Sequence, residues 1–185
     1  MVSFKLENIG LIENTQITLN DFTLICGQNN TGKTYITYSI YGFLYSWNNM
    51  IDFDIAQEVF TELEENGFYS LNISAYETKV NDILQKLSIQ YTSRLGNIFS
   101  VEEDWFDNSN FEVSIDNFKL DLGSELENTL SSPRKDVLQI KKSADSNILE
   151  VSTLSSNIKK QIPRFILQSG INRALGEIYF KQYFK

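Results

Sequence analysis

The sequence predicts an α/β fold with a mixed sheet, β-hairpins and a helical insertion over about residues 54–106, all within one domain spanning 1–185. Three observations predict it. Apolar and polar residues alternate with the two-residue period of a strand near the N-terminus and again around 111–122. Phe22-Thr-Leu-Ile-Cys26 is almost continuously apolar, as a strand covered on both faces would be. Val80, Ile83, Leu84, Leu87, Tyr91, Leu95 and Ile98 recur at three- and four-residue steps, the stripe of an amphipathic helix.

Each element follows from its residues in turn. Phe4 and Leu6 alternate with polar neighbours, which predicts a half-buried strand over 3–8, and Asn8-Ile9-Gly10 starts a turn. Ile17 and Leu19 share one face of a second strand over 15–19, and Asn20-Asp21 is a tight connection. The apolar run 22–26 predicts a central strand. A polar loop follows, then large apolar side chains at helical spacing over Lys33–Ser46.

Residues 54–99 read as mostly helical. Ser74-Ala-Tyr-Glu77 matches a capping box, in which hydroxyl and carboxylate satisfy the free amides of a helix start, and Gly96 is a candidate stop. Glu102-Glu103-Asp104 with Trp105 and Phe106 reads as a connector. Phe111, Val113 and Ile115 face one way, Asp116-Asn117 turns, and Phe118, Leu120 and Leu122 follow, which predicts a hairpin. A second hairpin pairs 137–141 with 148–152. From about Ser155 the pattern is helical, with Pro163 either starting or kinking a helix.

Composition excludes several function classes. The chain of 185 residues has 42% apolar residues and only two prolines, which suits a domain with a real core. It has no histidine, so histidine triads, metal ligands and proton shuttles are out. The single cysteine, Cys26, forms no disulfide framework and reads as a small buried residue ending a strand. No apolar run is long enough to cross a bilayer and the N-terminus lacks a secretory pattern, so the cytosol is the expected address and no membrane partner is expected. Net charge is −8, split between −14 over residues 1–133 and +6 over 134–185. The acidic part would repel phosphate. The basic third, with Arg134, Lys135, Lys141, Lys142, Lys159, Lys160 and Arg164, suits an acidic partner or a phosphate backbone, although charge runs are more often solvated faces or pair with opposite charge.

One motif carries chemistry. Gly27-Gln28-Asn29-Asn30-Thr31-Gly32-Lys33-Thr34 matches G-x-x-x-x-G-K-[ST], a pattern expected by chance on the order of once per hundred chains of this size. The physics requires each residue type. Gly27 and Gly32 let the loop bring its amides close to a polyphosphate. The N–H groups of about Asn30 to Thr34 and the helix start form a cradle of partial positive charge. Lys33 reaches the β- and γ-phosphates, and the Thr34 hydroxyl would sit on the Mg²⁺ that bridges them. The plain alternative, a glycine-rich turn with an incidental lysine, fits the expected strand–loop–helix setting poorly.

Weaker candidates surround it. Tyr35, Tyr38, Tyr41 and Tyr45 share a helix face; they could form a base-stacking platform, but a core-facing or interface stripe fits better. Glu62, Glu64 and Glu65 fit a solvated helix face better than a cation site. No Asn-Lys-x-Asp guanine-reading motif is present, which leaves adenine as the favoured base.

Phe4-Lys-Leu-Glu-Asn-Ile-Gly-Leu-Ile-Glu-Asn14, followed by Ile17-Thr-Leu-Asn-Asp-Phe-Thr-Leu-Ile-Cys-Gly-Gln-Asn-Asn-Thr-Gly-Lys-Thr34, resembles the opening of ABC-type AAA-family ATPases. That group includes structural-maintenance-of-chromosomes (SMC), RecF-like and OLD-family proteins and related phage-defence ATPases. The likeness covers about the first 45 residues and implies a P-loop NTPase fold, here the first lobe of an ABC/SMC-like head. It implies that ATP with Mg²⁺ lies on loop 27–34, that the turn after Asn8 lies near the base, and that catalysis needs two heads around two nucleotides.

Other family elements do not match. Val113-Ser-Ile-Asp116 and Phe118-Lys-Leu-Asp121 alternate and lack the second acid of a Walker B strand. Leu154-Ser-Ser-Asn157 does not replace the signature motif, the switch histidine is absent, and Gln139, Gln161 and Gln168 have no context marking a Q-loop. No catalytic residue is assigned. The expected protein is an incomplete lobe, a fragment or one half of a split ATPase in DNA maintenance or phage defence, binding ATP with weak or no hydrolysis alone. An ATPase partner or second half-domain is implied, and DNA only through that partner or the basic third. Two alternatives stand beside it: a small self-sufficient P-loop kinase or NTPase using Arg134, Arg164 or Arg173, and a regulatory remnant that pairs with an intact ATPase.

Overall fold

The computed structural model describes residues 1–132, 135–154 and 162–184, apart from the side chains of Glu103, Ser132, Lys135 and Asp136. Arg134, Lys159, Lys160, Gln161, the side chain of Lys135, the 155–157 part of the signature-like string and the expected helix start near Ser155 lie outside the described residues. In chain order the elements are β1 (Val2–Ile9), β2 (Ile12–Leu19), α1 (Lys33–Ser46), α2 (Gln57–Asn66), β3 (Phe68–Asn72), α3 (Val80–Thr92), α4 (Leu95–Phe99), β4 (Asn110–Ile115), β5 (Leu126–Ser132), β6 (Lys135–Lys142), β7 (Ile148–Thr153) and α5 (Arg164–Phe180), with 3₁₀ turns at Trp47–Asn49, Ile73–Lys79 and Glu103–Phe106. No helix is long and apolar enough to cross a membrane among the described residues.

The architecture is mixed α/β with two antiparallel sheets, ordered β2-β1-β4 and β3-β7-β6-β5. The expected mixed sheet is therefore corrected: each described pairing is antiparallel. Residues divide into two compact units, one of 1–51, 80–118 and 182–185, the other of 52–79 and 119–181.

In the first unit, β1 is central. Phe4 pairs across to Ile17 on β2 and Val113 on β4, and Leu6 to Thr15 and Phe111. The alternation of Phe4, Leu6, Phe111 and Val113 puts these apolar side chains in the core, all buried. Helix α3 lies against β4 with its predicted stripe: Val80, Ile83, Leu84, Leu87, Tyr91 and the following Leu95 are buried. It also closes the sheet edge. The Val113 amide donates to Ser88 Oγ at 3.0 Å, and the Phe111 amide donates to Thr92 Oγ1 at 3.0 Å.

That closure corrects the first expected hairpin. The outer amides of β4 are already taken by helix side chains, and Phe118–Leu122 forms no strand. The capping-box reading is also corrected, since Ser74–Glu77 lie in the 3₁₀ turn Ile73–Lys79 and α3 begins at Val80. Gly96 does not end a helix; α3 stops at Thr92 and Gly96 lies within α4.

In the second unit, the predicted hairpin is present, with Leu138 opposite Thr153 and Lys141 opposite Glu150. β3, inside the expected helical insertion, pairs with β7. Pro163 starts α5 rather than kinking it. Gly170 lets α5 approach the sheet, since a Cβ there would lie 2.4 Å from Leu130 Cδ1. The Tyr179 hydroxyl donates to the Ile73 carbonyl at 2.5 Å. Several basic side chains of the C-terminal third are held within this unit: Arg164 by Glu64 at 2.7 Å, Lys141 by Glu127 at 2.9 Å and Lys181 by Glu177 at 3.6 Å. The Arg164 guanidinium, mainly by hydrogen bonding, holds the Glu64 carboxyl below its ordinary value.

Lys142 is 3% exposed, and its ammonium donates to the carbonyls of Leu122 and Ser124 at 2.7 Å and Ser143 at 3.1 Å. Burial lowers its pKa, with partial compensation from Asp121, Asp145 and Glu125. One lysine thus ties the 122–124 segment to the β6–β7 turn. Lys142→Met is expected to cost about 1–3 kcal/mol in urea unfolding, because three carbonyls lose a charged donor. Lys141→Met, on the exposed neighbouring pair, should stay within about 0.5 kcal/mol of wild type. Equal losses in the two variants would refute the staple role.

Candidate functional site: the glycine-rich loop

The loop grows out of the first sheet. After β2 the chain turns at Asn20, whose amide donates to Thr23 Oγ1 at 3.2 Å. Residues 22–26 then run without regular structure, with Phe22 81% and Leu24 73% exposed. The expected central strand is corrected. An apolar run becomes an interior strand only where strands flank both edges, and the described residues supply none. Cys26 is exposed beside the loop, not buried at a strand end.

Residues 27–32 form the bend and α1 begins at Lys33, where the motif places it. Asn30 adopts φ +62° and Gly32 φ +84°, the left-handed region. Gly32 is doubly constrained, since a Cβ there would lie 2.3 Å from Ile12 Cδ1. The loop therefore rests on the first residue of β2. Thr31 Oγ1 donates to the Gln28 carbonyl at 2.9 Å. The Lys33 ammonium reaches back over the bend, donating to the Gly27 carbonyl at 2.9 Å and to the Gln28 carbonyl.

The electrostatics favour an anion. Gly32, at the N-cap, offers no side-chain acceptor, and the first turn of α1 carries no acidic residue. The helix start thus keeps its amide donors and its partial positive charge. A cavity of about 510 Å³ opens here, lined by Leu11 and residues 29–35. Lys33 is its one charged lining residue. Six of the eight predicted residues, Asn29, Asn30, Thr31, Gly32, Lys33 and Thr34, line it together; Gly27 and Gln28 form the far side of the bend through their carbonyls.

The residues fit a magnesium-bound polyphosphate. A Cβ at Gly27 would crowd Thr31 Oγ1 at 3.3 Å, inside the bend, while meeting Lys33 Cδ only in ordinary contact at 3.9 Å. Thr34 is exposed at the helix start, where its hydroxyl would hold the Mg²⁺. No group of three His, Cys, Asp or Glu side chains that could hold a metal ion occurs among the described residues.

The tyrosine stripe lies on the opposite side from the core. Ile36, Ile40 and Phe43 bury the inner face of α1, while Tyr38, Tyr41 and Tyr45 are exposed, which corrects the core-facing reading. Tyr35 instead lies on Gly10: a Cβ there would meet its ring at 2.3 Å. Leu11 and Tyr35 thus bring the turn after Asn8 against the loop. Leu11 was outside the motif, and the signal that could have found it is its place beside Gly10 in the turn after Asn8. Glu62, Glu64 and Glu65 form no cation site: Glu62 accepts from Asn66 at 2.5 Å and Glu64 holds Arg164.

Comparison with known family models, curated proteins and solved structures finds no match to this chain.

Proposed function

We propose that the chain is the ATP-binding lobe of an ABC/SMC/RecF-like AAA-family ATPase with a P-loop NTPase fold, a fragment or half of a split enzyme in DNA maintenance or phage defence. MgATP would lie on loop 27–34, with Lys33 against its terminal phosphates and the Thr34 hydroxyl on the metal. One observation carries this reading: a complete G-x-x-x-x-G-K-T loop bends at the uncapped start of α1 with its lysine folded over the bend.

Binding is favoured over turnover. No carboxylate lines the loop cavity, so it offers no acidic general base to activate an attacking water. Val113-Ser-Ile-Asp116, the nearest Walker-B-like string, covers the end of β4, which runs antiparallel beside β1. Of the arginines that a self-sufficient kinase would use, Arg164 is committed to Glu64 and Arg134 lies outside the described residues.

Calorimetric titration with MgATP, alongside phosphate release, tests the proposal. Saturable binding, competed by inorganic tripolyphosphate, with release at the buffer background is the expected result. Absence of binding overturns it, and sustained turnover by the purified chain would move the reading to a complete enzyme.

A further inference from the structure

Beside the phosphate-binding loop lies a second cavity of about 250 Å³, lined by Thr34, Val101 and the rings of Tyr35, Tyr38, Phe99, Trp105 and Phe106. It shares Thr34 and Tyr35 with the loop cavity, so the two adjoin at the start of α1. The rings form one aromatic surface. Tyr35 and Phe99 centroids are 5.2 Å apart, Tyr38 stacks on Phe99 at 6.4 Å, and Phe99 meets Phe106 at 5.3 Å.

Trp105 is 68% exposed on this rim and Tyr38 is 57% exposed. Such large rings left in water next to a binding cavity, rather than scattered singly, mark a surface with an occupant. The occupant is limited by what adjoins it. A molecule anchored by phosphates on the loop extends its remaining part past Thr34 and Tyr35, and a planar ring is what an aromatic-walled slot holds best.

We propose that this aromatic pocket receives the nucleobase of a nucleoside triphosphate whose phosphates lie on loop 27–34, holding it by stacking without reading its edge. The inference rests on the nucleotide-binding reading above and adds its specificity. Apart from the Thr34 and tyrosine hydroxyls and the Trp105 indole N–H, the lining has no polar side chain, and it has no side-chain amide or charged group to pair with a base edge. Base discrimination by hydrogen bonding needs such groups. The pocket therefore accepts purines alike, in place of the adenine preference expected from the missing guanine motif.

Nine titrations of the whole chain test this: MgATP, MgGTP and magnesium tripolyphosphate, each against wild type, Trp105→Ala and Tyr38→Ala. Both substitutions are at exposed rings, and circular dichroism checks the fold. MgATP and MgGTP should bind within about threefold of each other. Each variant should lose on the order of tenfold in affinity for both nucleotides, with tripolyphosphate affinity unchanged and Tyr38→Phe restoring Tyr38→Ala. Nucleotides, and not tripolyphosphate, should quench the exposed Trp105; Trp47 is buried. If nucleotides bind but both variants keep full affinity and Trp105 is unquenched, the base lies elsewhere and the pocket proposal falls while the phosphate loop stands. If tripolyphosphate and nucleotide alike fail to bind wild type, the loop reading itself falls and takes this one with it.

Discussion

Lys33→Ala is expected to lower MgATP affinity on the order of tenfold to a hundredfold, the equivalent of about 1.5–3 kcal/mol for hydrogen bonds from a charged donor. The lysine is the one cation in the lining of the loop cavity. Its ammonium already sits over the bend, donating to the carbonyls of Gly27 and Gln28. With three donors it can keep a carbonyl and add phosphate oxygens. Removing it strips the only compensating charge from the cradle and leaves the backbone amides to hold the anion alone. Folding should be almost untouched, because Gly27 and Gln28 are exposed and water replaces the lost donor. A urea midpoint within about 0.5 kcal/mol of wild type is expected. Lys33→Arg should not restore affinity, since a planar fork in a bend shaped around a compact ammonium points its donors elsewhere. Calorimetry giving the same MgATP affinity for wild type and Lys33→Ala would remove the cradle assignment.

The parts of this structure that local pattern reveals, and those it hides, separate by cause. Helix α1 is legible at both ends because loop chemistry fixes its start and apolar spacing its extent. The hairpin of β6 and β7 is legible because both strands alternate around a polar turn. The run 22–26 misleads, since continuous apolar composition reports a capacity for burial and not the presence of strands to pair with. Phe22 and Leu24 stay in water for want of partners, an assembly property that no window of residues contains.

The tyrosine stripe misleads differently. Spacing of three and four shows that Tyr38, Tyr41 and Tyr45 share a face, but Ile36, Ile40 and Phe43 share another, and the more apolar set takes the core. β3 is hidden because only Leu71 of its five residues is buried. Its one local mark is Gly67 at φ +73°, ending α2 just before it. The absent 118–122 strand could not be foreseen, because the side chains that occupy the edge of β4, Ser88 and Thr92, lie about twenty residues away in sequence. Near the loop, the start of α1 at Lys33 was legible and the aromatic cavity was not, since Phe99 and Trp105 come from a stretch with no motif.

Phe43→Ala is expected to cost about 3–5 kcal/mol, a large part of the roughly 5–15 kcal/mol that holds a domain folded. Phe43 is fully buried, and its ring meets Phe4 at 5.5 Å, Tyr91 at 5.3 Å, Phe111 at 5.4 Å and Phe184 at 5.2 Å. These neighbours come from β1, α3, β4 and the C-terminal segment, all within the first unit. Truncation would leave a cavity that four rings cannot jointly fill, because each is held by further contacts: Tyr91 donates to the Ser39 carbonyl at 2.6 Å, and Phe111 meets Tyr91 at 4.6 Å. Phe43→Leu keeps most of the volume and should cost distinctly less. The effect reaches the site through α1. Its C-terminal half is anchored by Phe43 and its first turn carries Lys33 and Thr34, so a loosened helix should also weaken MgATP binding, although Phe43 does not line the cavity. Saturating MgATP should then raise the unfolding midpoints of Phe43→Ala and of wild type alike, whereas Lys33→Ala should show little such rise. Denaturant unfolding with and without nucleotide separates the two substitutions: one empties the core that holds the helix, the other removes the charge that the helix presents. A Phe43→Ala protein as stable as wild type would mean that α1 is held by something other than this aromatic cluster.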